Sequence, residues 1–198
     1  MAISAAVAVA VAVPVTILAV SRPERVEVRG SQPPARIELP RFSLRDQQGR
    51  LVSSDGLAGK ALVVTFLDTK CRESCPIIAD QIRQALARLS PADRAGTVAL
   101  AISVQPEVDT PAAVGDFLRR HRVTRELRYL VGSESQLRPV WSAFQVLPAL
   151  DSGSSDIHSA PVRIYDRTGV WISTQAAGAE LTPANLAHDV GVALQTSG

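Results

Sequence analysis

The chain has only two cysteines, Cys71 and Cys75, and one methionine, Met1. Two thiols exclude a disulfide-dense scaffold and a four-thiolate zinc site within one chain. A single methionine excludes a methionine-rich copper site. Histidine occurs three times, as His121, His158 and His188, so transition-metal chemistry must draw on a short list of donors. The formal net charge is only +2, which gives dense nucleic-acid binding no electrostatic driver. There is no P-loop, no G-x-G-x-x-G and no G-x-S-x-G element, so phosphate-cradling and serine-hydrolase readings have no motif behind them. At 46% hydrophobic and 20% charged residues, the chain is neither disordered nor collagen-like.

What is present begins with an uncharged run, AISAAVAVAVAVPVTILAV over residues 2–20. As a helix it would span roughly 28 Å, close to the hydrocarbon thickness of a bilayer. Residues 1–21 are therefore expected to be a transmembrane anchor, with a cleaved signal segment as the rival. Pro14 does not forbid a spanning helix. Arg22, Arg25, Arg29 and Arg36 follow the run, and the positive-inside rule reads them as cytoplasmic. Long domains translocate largely regardless of flanking charge, and an extracytoplasmic, membrane-anchored domain is the expectation. Residues 22–40 carry four prolines and charges of mixed sign without a helical period, and read as a tether.

From Arg41 to the C-terminus the pattern alternates. FSLRD (42–46) and RLVSS (50–54) flank a Gln47-Gln48-Gly49 turn, as in a β-hairpin. ALVVTFL (61–67) and TVALAISV (97–104) are short, continuous apolar runs, the mark of strands buried on both faces. Apolar residues at helical spacing follow over 75–89. Thr110-Pro111 opens a helix to about Arg120, 128–132 is a strand and 134–144 a short helix. Residues 145–157 read as a loop rich in Ser, Asp and Gly. VRIYD (162–166) and VWIST (170–174) pair across Arg167-Thr168-Gly169, and Thr182-Pro183 caps a last helix. Strands alternating with helices predict an α/β fold: a mostly parallel or mixed central sheet, helices on both faces, an N-terminal hairpin and a closing antiparallel hairpin. That arrangement suits a thioredoxin-like domain over 41–198.

The sharpest local signal is Asp68-Thr69-Lys70-Cys71-Arg72-Glu73-Ser74-Cys75-Pro76. It sits where a buried strand leads into a helix, the edge at which open α/β sheets bind ligands. A spacing of four brings two sulfurs about one helical turn apart, able to hold one soft metal ion or to close a disulfide. The helix start, Lys70 and Arg72 are expected to favour thiolate. A purely structural bridge would close a loop too short to stabilise much. His158, just before the strand 162–166, is the candidate third ligand for a metal, and it reads equally well as an ordinary exposed loop histidine. Two thiolates with one imidazole suit copper, and zinc accepts the same donors. His121 and His188 read as bystanders, and the basic stretch from Arg119 to Arg128 as a solvated face.

Taken together, FSLRDQQGR, GKALVVTFLDTKCRESCP, SVQPEVDTP (103–111) and IHSAPVRIYDRTGVW (157–171) resemble the Sco (SenC-type) copper chaperones, from about Phe42 to the C-terminus. Arg72 and Gln105 stand where that family usually carries Pro and Asp. The resemblance implies a membrane-tethered, thioredoxin-fold protein that helps assemble the dinuclear copper centre of cytochrome c oxidase. It places Cys71, Cys75 and His158 at the three copper-ligand positions. It further implies the copper-bearing oxidase subunit, or another copper protein, as partner, and a thioredoxin-like reductant for the thiols. The competing reading is a thiol-disulfide oxidoreductase working through Cys71 and Cys75 alone. C-x-x-C is the usual spacing for that work, and the extra residue here argues against it. A peroxiredoxin-like peroxidase lacks its Pro-x-x-x-Thr/Ser-x-x-Cys pattern.

Overall fold

A computed structural model describes residues 27–148 and 160–196. The uncharged N-terminal run and His158 lie outside the described residues. Among those described, no helix is long and apolar enough to cross a membrane.

Among the described residues, seven strands form one sheet. β1 (Ser43–Asp46) and β2 (Leu51–Ser53) make the N-terminal hairpin, and a short 3-10 turn (Asp55–Leu57) leads to β3 (Ala61–Leu67). Then come α1 (Ser74–Arg88), α2 (Pro91–Ala95), β4 (Thr97–Ser103), α3 (Pro111–Arg120), β5 (Leu127–Val131) and α4 (Glu134–Ala143). β6 (Val162–Tyr165), β7 (Trp171–Gln175) and α5 (Pro183–Gln195) complete the chain. The spatial order is β2-β1-β5-β4-β3-β6-β7. Only β3–β4 and β4–β5 pair in parallel; β1 joins β5, and β6 joins β3, antiparallel. The sheet is therefore mixed, with a parallel centre of three strands between two antiparallel hairpins.

Side chains alternate between two cores. Val63 and Leu67 of β3 pack with Ala99, Ala101 and Tyr129 under α1, α3 and α5. Leu62, Val64 and Phe66 face the other way, with Leu100, Ile102 and Leu130, under α4 and the N-terminal hairpin. That period-2 division of fully buried strands explains their unbroken apolar sequence. Trp141 of α4 donates its indole N–H to the Ser103 carbonyl at 2.8 Å, pinning that helix to the end of β4. Prolines open α3 and α5 in the first turn, with Thr110 and Thr182 accepting from backbone N–H groups as caps.

The stretch expected as a tether is bound to the sheet over its described part. Ser31 and Glu38 bridge antiparallel to Thr174 and Val170, and Trp171 donates its N–H to the Ile37 carbonyl at 2.8 Å. Asp189 of α5, fully buried, accepts from the Arg29 and Gly30 amides at 2.7 and 3.0 Å and from the Ser173 hydroxyl at 2.6 Å. Burial pushes its carboxyl up, but hydrogen bonds from the Arg29 amide, Ser173, His188 and Gln175 outweigh that and hold it below the ordinary carboxylate value. Gly30 has no room for a side chain, since a Cβ there would lie 2.5 Å from the Thr174 carbonyl oxygen.

Candidate metal centre

β3 ends at Leu67, and the next residue turns the chain toward α1. One carboxylate oxygen of Asp68 accepts the amides of Lys70 and Cys71 at 2.8 and 2.6 Å, an Asx-type turn that the side chain builds itself. The Cys71 sulfur then accepts the Cys75 amide at 3.3 Å. Helix α1 starts at Ser74, and its cap residue Glu73 makes no side-chain cap bond. The sulfur thus satisfies one of the amides that a helix start leaves unpaired within the helix. Cys75 sits in the first turn, fully buried, and Cys71 is 4% exposed. Donor atoms of Asp68, Cys71 and Cys75 all lie within 4.8 Å of one another.

The electrostatics of the pair depart from expectation at Cys75. A hydrogen bond to Cys71 and burial both push its thiol far up, against a smaller opposing effect of the Asp68 backbone. The helix start and the exposed cations do not overcome those two effects. The proton on Cys75 is therefore one that a metal ion must displace on binding.

Behind the loop, Asp109 ties the cysteine loop to the end of β4 and to the middle of β5. It accepts from the Thr69 amide at 2.8 Å, the Ser103 hydroxyl at 2.6 Å and the Tyr129 hydroxyl at 3.0 Å. Burial raises its carboxyl to about 6, against the lowering effect of those hydrogen bonds. Burial and Asp109 together raise the Tyr129 phenol. In front, Cys71 opens onto a groove of about 800 Å³ shared with Thr69, Lys70, Arg72, Pro76, Phe117, Arg120 and His121. His121 packs against Phe117 with ring centroids 4.5 Å apart and the ring planes tilted by 54°. Read from the sequence as a bystander, it lines the same groove as Cys71 but stands outside the three-residue donor cluster. His188 lies 3.1 Å from Asp189 on α5.

Sequence reasoning identified the two cysteines; it assigned no role to Asp68 or Asp109. The available signal was a carboxylate just past the end of a buried strand, a costly place for a charge without partners. The His158 position falls outside the described residues. Its neighbour Ala160 packs against the core that contains both cysteines. Antiparallel pairing of β6 with β3, Val64 opposite Arg163 and Leu62 opposite Tyr165, starts β6 toward the strand end that feeds the cysteine loop.

An open mixed sheet, helices on both faces and two thiols where the central strand meets a helix define a thioredoxin-like protein of the Sco type. The SCO1/SenC family model matches residues 30–194, and the chain belongs to that family. Among solved structures it is similar to copper-bound ScoI of Bradyrhizobium japonicum, 28% identical with a TM-score of 0.67, over 80% of this chain and 100% of that one. The fold is shared with apo Sco1 of Thermus thermophilus, 18% identical with a TM-score of 0.70, over 85% of this chain and 98% of that one. A SCO2-like protein of Rickettsia conorii is 26% identical over 137 residues, 66% of this chain and 65% of that protein. The match thus spans just under two thirds of the relative's length.

Proposed function

We propose that this chain is a membrane-anchored copper chaperone. It takes up one copper ion between Cys71, Cys75 and His158 and passes it to the dinuclear copper centre of cytochrome c oxidase, from the extracytoplasmic face of the membrane. The observation that carries this reading is the convergence of the two sulfurs at the carboxyl edge of β3, one of them on the wall of an open groove. Two thiolates suit Cu(I), and an added imidazole also accepts Cu(II). A few-ligand site with one sulfur on the wall of an open groove favours transfer by ligand exchange, because an incoming donor can reach the ion before the first one leaves. Lys70, Arg72 and Arg120 around the groove offset the negative charge of a dithiolate and attract an acidic partner surface.

The test is to load the reduced protein with one equivalent of Cu(II). A visible thiolate-to-copper charge-transfer band is expected, absent in Cys71→Ser and Cys75→Ser. His158→Ala should weaken Cu(II) binding much more than Cu(I) binding. A wild-type protein without that band sinks the reading.

The Cys75 amide on the Cys71 sulfur at 3.3 Å favours a second reading, thiol-disulfide exchange that keeps partner cysteines reduced. An amide N–H donated to the Cys71 sulfur stabilises its thiolate, the form that attacks a disulfide. A reduction potential far from that of any extracytoplasmic donor or target would dispose of it.

A further inference from the structure

Resting on the copper reading of this site, we infer that Asp68 is a hard anionic donor to the bound ion, which makes the cysteine loop selective for divalent over monovalent metal. Asp68 is fully buried and shares a sphere of 4.8 Å with both sulfurs. The two amides on its Oδ1 fix the direction of the carboxylate, so it does not swing out to solvent when an ion enters. The same loop that presents Cys71 therefore presents the oxygen.

Charge counting gives the direction of selectivity. Two thiolates and a carboxylate bring three negative charges into a buried site. A divalent ion leaves a net charge of minus one, and a monovalent ion leaves minus two. The second is costlier where the surroundings are apolar. Donor softness points the same way. Cu(I) is satisfied by the sulfur pair, whereas carboxylate oxygen suits harder ions. Asp68 accordingly tightens the oxidised form of the copper complex and leaves the reduced form unchanged or weakened.

Asp68→Asn separates this role from that of a loop staple. Its amide oxygen still accepts the Lys70 and Cys71 N–H groups, but the charge is gone. Cu(I) and Cu(II) affinities of the wild-type chain, Asp68→Asn and Asp68→Ala are measured by chelator competition, with the electron paramagnetic resonance spectrum of the Cu(II) forms. For Asp68→Asn we expect Cu(II) affinity to fall by roughly tenfold or more, an altered Cu(II) spectrum, and Cu(I) affinity unchanged or higher. A tenfold change in that ratio raises the copper potential by about 59 mV. Asp68→Ala, which removes the staple as well, should weaken both ions. If Asp68→Asn matches wild type for both ions, or weakens both equally, Asp68 only shapes the loop and the inference is wrong. If wild type shows no thiolate-to-copper band, the copper reading beneath it fails first, and the two failures are told apart.

Discussion

Asp109 should make the protein lose stability as pH rises through the mildly acidic range, opposite to the usual behaviour of a carboxylate. Its carboxyl is raised from 3.8 to about 6 in the folded chain. The native state therefore binds a proton more tightly than the unfolded state does. Between those values the native state holds more protons, so stability falls with increasing pH. The full penalty above both values is about 3 kcal/mol, from 1.36 kcal/mol for each tenfold change in proton affinity. Asp109→Asn removes the titration but keeps polar contact, because its oxygen can accept from Thr69 while Ser103 and Tyr129 turn their hydroxyls to accept its amide. Urea unfolding of reduced protein, followed by the fluorescence of buried Trp141, is measured for both chains at about pH 5 and about pH 7.5. Wild type should lose roughly 1.4 kcal/mol relative to Asp109→Asn between those two conditions. Asp46, Asp80 and Asp189, whose carboxyls are all lowered, act in the opposite sense but equally in both proteins, so they cancel in the difference. Parallel pH curves for the two chains would refute the reasoning.

Asp189→Ala should cost about 3 kcal/mol, because it strands the Arg29 and Gly30 amides and the Ser173 hydroxyl. The wild-type contribution is present above the ordinary carboxylate value and lost as pH falls through the lowered native one, which acid titration of urea midpoints will show. Gly30→Ala should release the N-terminal segment from β7, read as faster proteolysis before Ser31 with the core intact; an unchanged cleavage rate would count against the tight approach. Iodoacetamide at neutral pH should modify Cys71 before Cys75, since Cys75 is fully buried and its thiol is pushed up; mass mapping that finds Cys75 labelled first would contradict this. Ile82→Ala, at a fully buried position of α1, should cost about 3 kcal/mol in urea unfolding without changing the denaturant slope.

The strands and caps were legible because their signals are local. Unbroken apolar runs announced β3 and β4, and Thr-Pro pairs marked the starts of α3 and α5. The five residues of α2 span too few turns for an amphipathic period, although Ser90-Pro91 supplies its cap. That the segment entering β6 faces the cysteine-bearing end of β3 follows from the expected topology, and not from any local side-chain signal. The docking of residues 28–39 was hidden, since it uses amides and carbonyls rather than an apolar stripe. At the site, two cysteines four apart were visible as a pair. Asp68 and Asp109 looked like turn residues, and only the fold shows that each carboxylate collects donors from its own loop or from separate strands.

The antiparallel run of residues 31–38 along β7 has a consequence for which side of the sheet the N-terminal segment joins. Ser31 lies nearer the cysteine-bearing edge of the sheet than Glu38 does, because Thr174 stands level with Arg163 and Val170 lies farther down. The chain thus enters from the cysteine-bearing side and descends. With the proposed anchor ending at residue 21 and Arg29 pinned to Asp189, about seven residues remain as leash, reaching at most roughly 24 Å when fully stretched. Under the proposed anchor, the point at which the chain joins the sheet, on the cysteine-bearing side, would stay within that reach of the bilayer surface.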